Sequence, residues 1–235
     1  MAPPGKTREG GGTLSFSSSR GRTLRLVAAV CLWASCAGSA FQVAEEGSFR
    51  PSELVELVRL DSTIHLDIRY AGTRNFMHRA MYTEPRAFLQ RPAAEALLRV
   101  QAKLRSRGYG LLVFDGYRPW SITKKFWDET PADKRKFVAD PSKGSRHNRG
   151  CAVDCSLYDL GTGREVRMPS AYDEFSSRAS ASYGGGTAGE RRRRGILRAA
   201  MIAEGFSIEP DEWWHFDYRD WHSYRVQDIP FSAIH

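Results

Sequence analysis

The 235-residue chain predicts an α+β fold: one domain with a central antiparallel sheet flanked by helices and a metal site on the sheet. Three observations carry this expectation. Residues 41–235 alternate stretches of helical and strand period. Gly161-Thr-Gly163 separates two strand-like runs at hairpin distance. Hydrophobic residues make up 41% and charged residues 26%, a globular balance that can bury a core without metal or disulfides.

The elements follow in order. Ile64, Leu66 and Ile68 alternate with His65, Asp67 and Arg69, the pattern of a half-buried strand. Ala94, Leu97, Leu98 and Leu104 share one side of a helix bracketed by Pro92 and Gly108. Gly110–Phe114 reads as a short buried strand and Ser121–Trp127 as a helix. Cys151–Tyr158 and Arg164–Met168 are expected to pair as a hairpin. Tyr183-Gly-Gly-Gly186 is a loop before a helix that starts at Arg191–Arg194 and ends at Gly205. Trp213–Tyr218 is the last strand.

Residues 1–40 stand apart. Leu26–Ala34 is an uninterrupted apolar run preceded by Arg20, Arg22 and Arg25, and small residues follow from Ala34 to Ala40. Basic flank, short apolar core and small-residue zone form the layout of a secretory signal, and the run is short for a membrane span. The chain is therefore expected to be exported to the periplasm or cell envelope. Cys36 is a candidate lipid-attachment site, although Trp33 stands where such signals usually carry Leu.

Charge excludes one class of partner. The formal net charge is +8, of which Lys6, Arg8, Arg20, Arg22 and Arg25 against Glu9 supply half. The remainder is no footprint for nucleic acid, and Arg191–Arg194 reads as a solvated helix face. Cys151 and Cys155 point to one face of their strand about four rises of 3.3 Å apart, too far to bridge. They read as buried small side chains.

Chemistry concentrates in two motifs: Ser145-Arg-His-Asn-Arg-Gly-Cys-Ala-Val-Asp154 and Glu212-Trp-Trp-His215. His147, Asp154 and His215 make a three-ligand zinc set that leaves one position for water, the composition of a catalytic site. Gly150 permits the turn between the first two. Glu212 is the candidate base, placed on the loop before the last strand because a regular strand would send it and His215 to opposite faces. Arg118, held extended by Pro119 in Gly116-Tyr-Arg-Pro119, is a candidate oxyanion stabiliser, with a surface ion pair to a carboxylate such as Asp115 as its other reading.

With these residues in place, the chain resembles the bacterial zinc D-alanyl-D-alanine dipeptidases, including those of vancomycin resistance, from about Ile64 to Phe231. The family pattern Ser-x-His-x-x-Gly-x-Ala-x-Asp is met by Ser145, His147, Gly150, Ala152 and Asp154. Its Glu-x-x-His is met by Glu212 and His215, and its Gly-Tyr-Arg-Pro by Gly116 through Pro119. The resemblance implies one Zn2+ on His147, Asp154 and His215, Glu212 as general base and Arg118 at the transition state. It further implies that Asp173 and Tyr70 hold the substrate ammonium and that Ser145 assists at other polar groups. A small dipeptide would be the partner, and the membrane would be met only through the N-terminal signal or lipid anchor. A carboxypeptidase or endopeptidase acting on peptidoglycan stems is the alternative, and a non-catalytic zinc module would have no use for Glu212.

Overall fold

The computed structural model describes residues 43–235, and the signal-like segment with Cys36 lies outside them. A five-stranded sheet forms the frame. Its strands are β2 (His65–Leu66), β4 (Tyr109–Asp115), β5 (Ala152–Asp159), β6 (Phe206–Glu209) and β7 (Glu212–Tyr218), in the order β2-β4-β5-β7-β6. Every pairing is antiparallel except β2 with β4. A second sheet pairs β1 (Leu54–Glu56) with β3 (Phe88–Gln90). Helices α1 (Leu57–Leu60), α2 (Arg91–Arg105), α3 (Trp120–Glu129) and α4 (Ala188–Ala203) complete the α+β architecture.

The helices form where the sequence period places them. Helix α2 opens on Pro92 in its first turn and buries Leu97, Val100 and Leu104. Helix α4 begins with a capping box: Thr187 accepts from the Glu190 amide, and the Glu190 side chain accepts from the Thr187 amide. It closes before Gly205, whose φ of +87° a side chain would strain. Strand β5 is buried along most of its length, between β4 and β7. Cys151 and Cys155 are free and buried, as expected.

Two expected strands are shorter than their patterns. Only His65 and Leu66 pair, because the chain turns into a short 3-10 helix at Arg69–Ala71 that swings Tyr70 inward. The hairpin after β5 reduces to a single bridge, Tyr158 with Glu165. Strand β7 covers only Ala152–Asp154 of β5, so the far end of β5 is open to Arg164–Val166 for a few hydrogen bonds. The chain then leaves the sheet, and the carbonyls of Arg167 and Pro169 are taken by Arg193 and Arg178 instead.

The sheet is irregular at two points. The β4–β5 ladder jumps from Val113–Cys155 to Asp115–Asp154, leaving Phe114 as an extra residue. The β6–β7 ladder jumps from Ile208–Phe216 to Glu209–Glu212. Bulges of this kind bend a strand and re-aim its side chains.

Leu97 is fully buried, whereas Ile202 on α4 is 49% exposed. Leu97→Ala should therefore cost about 2–5 kcal/mol. That lowers the melting temperature by roughly 4–20 °C in a domain of this size. Ile202→Ala should stay within about 0.5 kcal/mol. Thermal denaturation followed by circular dichroism compares the two, and equal shifts would refute this assignment of the core.

Candidate active site

Gly150 sets up the first ligand pair. Its φ of +70° ends the short turn His147–Arg149, and a Cβ there would lie 2.5 Å from Leu54 and 3.3 Å from the Gln90 amide. The turn therefore hands His147 directly to β5, where Asp154 follows. Strand β7 sets His215 opposite Asp154 in register. Three atoms converge: His147 Nε2 lies 3.1 Å from His215 Nδ1 and 3.3 Å from Asp154 Oδ1, and His215 Nδ1 lies 3.0 Å from Asp154 Oδ1. All three residues are buried.

The tautomers follow from the outer partners. His147 Nδ1 lies 2.7 Å from the Gly116 carbonyl, which can only accept, so Nδ1 carries the proton and Nε2 presents a lone pair. His215 Nε2 lies 3.0 Å from Asp217 Oδ1 and donates to it, so Nδ1 presents the second lone pair. Asp154 Oδ1 supplies the third. Ligands about 2.0–2.2 Å from a tetrahedral ion stand about 3.3–3.6 Å apart, close to the edges of this triangle. A histidine oriented by a carboxylate or a carbonyl at its far nitrogen is the usual metal-binding arrangement. The donor set fits a divalent cation.

Electrostatics agree. Burial works against charge on His215, yet hydrogen bonds to Asp154 and Asp217 raise its pKa well above the usual histidine value. Burial likewise opposes ionisation of Asp154, but His147 and His215 hold it well below the ordinary carboxylate range. The point between them calls for positive charge.

Glu212 is the first residue of β7 rather than part of the preceding loop, a correction to the sequence reading. The alternation argument fails because the β6–β7 ladder slips here, leaving Trp213, Trp214 and His215 without β6 partners. Glu212 Oε2 thereby comes within 3.8 Å of His215 Nδ1. Burial pushes its carboxyl up to about 7, with Asp154 adding to the rise and His215 and Arg118 opposing it. A group titrating there can take and return a proton near neutral pH.

Arg118 is buried, with Nε and Nη2 donating to Asp115 Oδ2 at 3.0 and 2.7 Å. The ion pair with Asp115 thus forms, in the interior rather than at the surface, and it serves the site. It fixes the guanidinium so that Nη2 lies 4.0 Å from Asp154 Oδ2. Asp115 is fixed in turn by the Tyr82 hydroxyl at 2.8 Å.

Asp173 has a φ of +57°, unusual outside glycine. The Tyr70 hydroxyl donates to its Oδ1 at 3.1 Å, while Oδ2 is shut from solvent and has no partner among the described residues. Burial, then Asp154 and Glu212, raise its pKa well above the usual range. Ser145 Oγ accepts from the His147 amide at 3.2 Å. Tyr70, Ser145 and Asp173 line the same small cavity of about 90 Å³ as Arg118, Glu212 and the ligand triangle. All eight residues singled out from sequence thus meet in one place. Asp217 and Tyr172, whose hydroxyl donates to Asp154 Oδ2 at 2.9 Å, were not singled out. Asp217 was within reach, since it lies two residues from His215 on one strand face.

Comparison with known proteins shows the family. The family model described as D-ala-D-ala dipeptidase matches residues 50–232. The chain belongs to this family of metallopeptidases. It is similar to the D-alanyl-D-alanine dipeptidase of Escherichia coli K12, with 30% identity over 183 residues, covering 78% of this chain and 93% of that one. The Enterococcus faecium D-alanyl-D-alanine dipeptidase is 33% identical, covering 68% of this chain and 90% of its own. Among solved structures, vancomycin resistance D,D-dipeptidase VanXYg aligns at 22% identity with a TM-score of 0.40, over 58% of this chain and 53% of that one.

The triangle generates a direct test. The protein should retain one divalent metal per chain after dialysis, and His215→Ala should lose it. Elemental analysis reads both, and full retention by the variant would exclude His215 as a ligand.

Proposed function

We propose that this dipeptidase-family enzyme is zinc-dependent and hydrolyses D-alanyl-D-alanine to free D-alanine in the turnover of cell-wall peptides. The observation that carries the reading is the Asp173 oxygen buried without a partner beside a cation-binding triangle. An unpaired buried carboxylate oxygen is costly. A substrate ammonium would satisfy it and fix the amino end of a short substrate.

His147 Nε2, Asp154 Oδ1 and His215 Nδ1 would hold the zinc ion, which when bound polarises the scissile carbonyl and lowers the pKa of water. Glu212 takes the water proton at its carboxylate and returns it to the leaving amine. Arg118, already charged and fixed by Asp115, faces the negative charge that develops on the carbonyl oxygen. Asp173 and Tyr70 orient the substrate through its ammonium, and Ser145 stands beside the ligand loop for the substrate's other polar groups.

Location completes the proposal. The signal-like layout of residues 1–40 favours export to the periplasm or envelope, with Cys36 as a candidate lipid-anchored terminus. No helix among the described residues is long and apolar enough to cross a membrane. An envelope site favours recycling of wall dipeptides over resistance, which requires hydrolysis in the cytoplasm.

Two outcomes test the chemistry. Glu212→Gln should keep its metal and lose about 10²- to 10⁴-fold in turnover, because general acid–base groups contribute on that order. A loss of only a few-fold, measured with metal content matched, would remove Glu212 as the base.

Specificity follows from Asp173. N-acetyl-D-Ala-D-Ala lacks the ammonium and should be cut on the order of 10- to 100-fold more slowly in kcat/KM, the equivalent of losing one hydrogen bond to a charged group. Asp173→Ala should narrow the gap. Equal kcat/KM for free and acetylated dipeptide would instead favour a carboxypeptidase acting on longer stems.

A further inference from the structure

Helix α4 carries Arg191, Arg192, Arg193, Arg194 and Arg198. Among the described residues, none of them forms an ion pair with a carboxylate. Arg191 donates to the Gly186 carbonyl at 2.6 Å, Arg193 to the Arg167 carbonyl at 2.9 Å and Arg194 to the Tyr183 carbonyl at 2.8 Å. These bonds hold the guanidiniums in place without neutralising them.

A solvated helix face ordinarily interleaves acids and bases at spacings of three and four. Here the spacing repeats one sign. Arg191, Arg194 and Arg198 fall on a single stripe, and the first of them lies near the positive end of the helix dipole. The acid in the first turn, Glu190, is committed to the cap. Burial lowers the pKa of Arg194, and Arg198 and Arg191 lower it further, so the like charges do repel. The helix carries an array that its own electrostatics oppose and that, among the described residues, no carboxylate pairs with.

The same stripe is apolar at its far end. Arg191, Arg194 and Arg198 rim a shallow depression of about 590 Å³ floored by Ala199, Ala203 and Ile202, and Ile202 is 49% exposed. The depression shares no lining residue with the cleft that opens on Glu212 and His215. Three guanidiniums over an apolar floor match a phosphate-bearing amphiphile: the fork geometry of arginine suits phosphate oxygens, and the floor suits the glycerol and upper acyl region. Duplex nucleic acid would use the charge but not the exposed isoleucine, and residues 41–235 carry only half of the net +8.

We infer that the arginine stripe of α4 is a docking surface for anionic phospholipid headgroups, seating the domain on a membrane beside its open cleft. Docking of this kind does not depend on which peptide the enzyme cuts.

Co-sedimentation of the full-length chain with vesicles tests it. One set is phosphatidylcholine alone, and the other contains about one third phosphatidylglycerol. Each arginine near an anionic bilayer is worth about fivefold in partitioning, so three give a preference on the order of 100-fold for the anionic vesicles at low salt. Arg191→Gln combined with Arg198→Gln should remove roughly 25-fold of it, and Arg198→Gln alone, whose side chain supports no loop, roughly fivefold. Any contribution of the N-terminal apolar stretch is common to wild type and variants and drops out of the ratio. Dipeptide turnover should be unchanged in both variants, which separates loss of docking from loss of fold. Equal partitioning of wild type and Arg198→Gln, equal binding to the two vesicle types, or salt-sensitive capture of duplex DNA without preference for anionic vesicles would each overturn the inference.

Discussion

Three electron-rich atoms meet within 3.0–3.3 Å of one another in the interior of this domain, with the protons of both imidazoles directed elsewhere. Acceptors at such distances repel unless a cation or a proton lies between them, and the repulsion is strong where water is excluded. Holding them together is the constraint the rest of the structure serves. Gly116 and Asp217 fix the two rings from behind, through a carbonyl and a carboxylate. Asp217 is itself held by Arg146 at 3.3 Å, so the support reaches the rim of the cleft.

The sheet is regular where it carries the core and irregular where it meets this site. The slip between β4 and β5 brings Asp115 opposite Asp154, and Arg118 can then bind the first while facing the second. The slip between β6 and β7 turns Glu212 toward His215 three residues later. A regular ladder would have met every backbone pairing and separated both pairs of side chains. Local irregularity of this kind persists because the surrounding core over-determines it: Trp214, Phe114 and Phe216 are each almost completely buried beside the bulged positions.

Much of this was legible in the chain. Helical period identified α2 and α4, a short apolar run identified β4, and the two short motifs held the residues that converge at the site. What escaped was set by tertiary geometry. A two-fold strand period says that Glu212 and His215 diverge, and only the slipped ladder shows that they do not. The run Arg164–Met168 has strand composition, but Arg193 and Arg178 take the carbonyls of Arg167 and Pro169, and one bridge remains. Tyr172 carries no motif of its own, since its role is defined by Asp154 across the site. Asp217 was readable from its position on the strand, because a histidine ligand needs a partner at its second nitrogen.

Charge balance links the triangle to the substrate pocket. Asp115, Asp154, Asp173, Glu212 and Asp217 surround the site, and Arg118 and Arg146 answer two of them. A divalent cation on the triangle would account for two more, which would leave one carboxylate uncompensated. Asp173 is the one with an oxygen that has no partner. Burial raises the pKa values of Asp173 and Glu212, and the Asp154 charge adds to both. One ammonium completes the set. On the proposed reading, a substrate with a free amino end would bring that charge, and a blocked one would leave Asp173 either protonated or buried and unpaired. On that reading, discrimination at the amino end and retention of the cation would draw on one electrostatic field, so a change in either would be felt by the other.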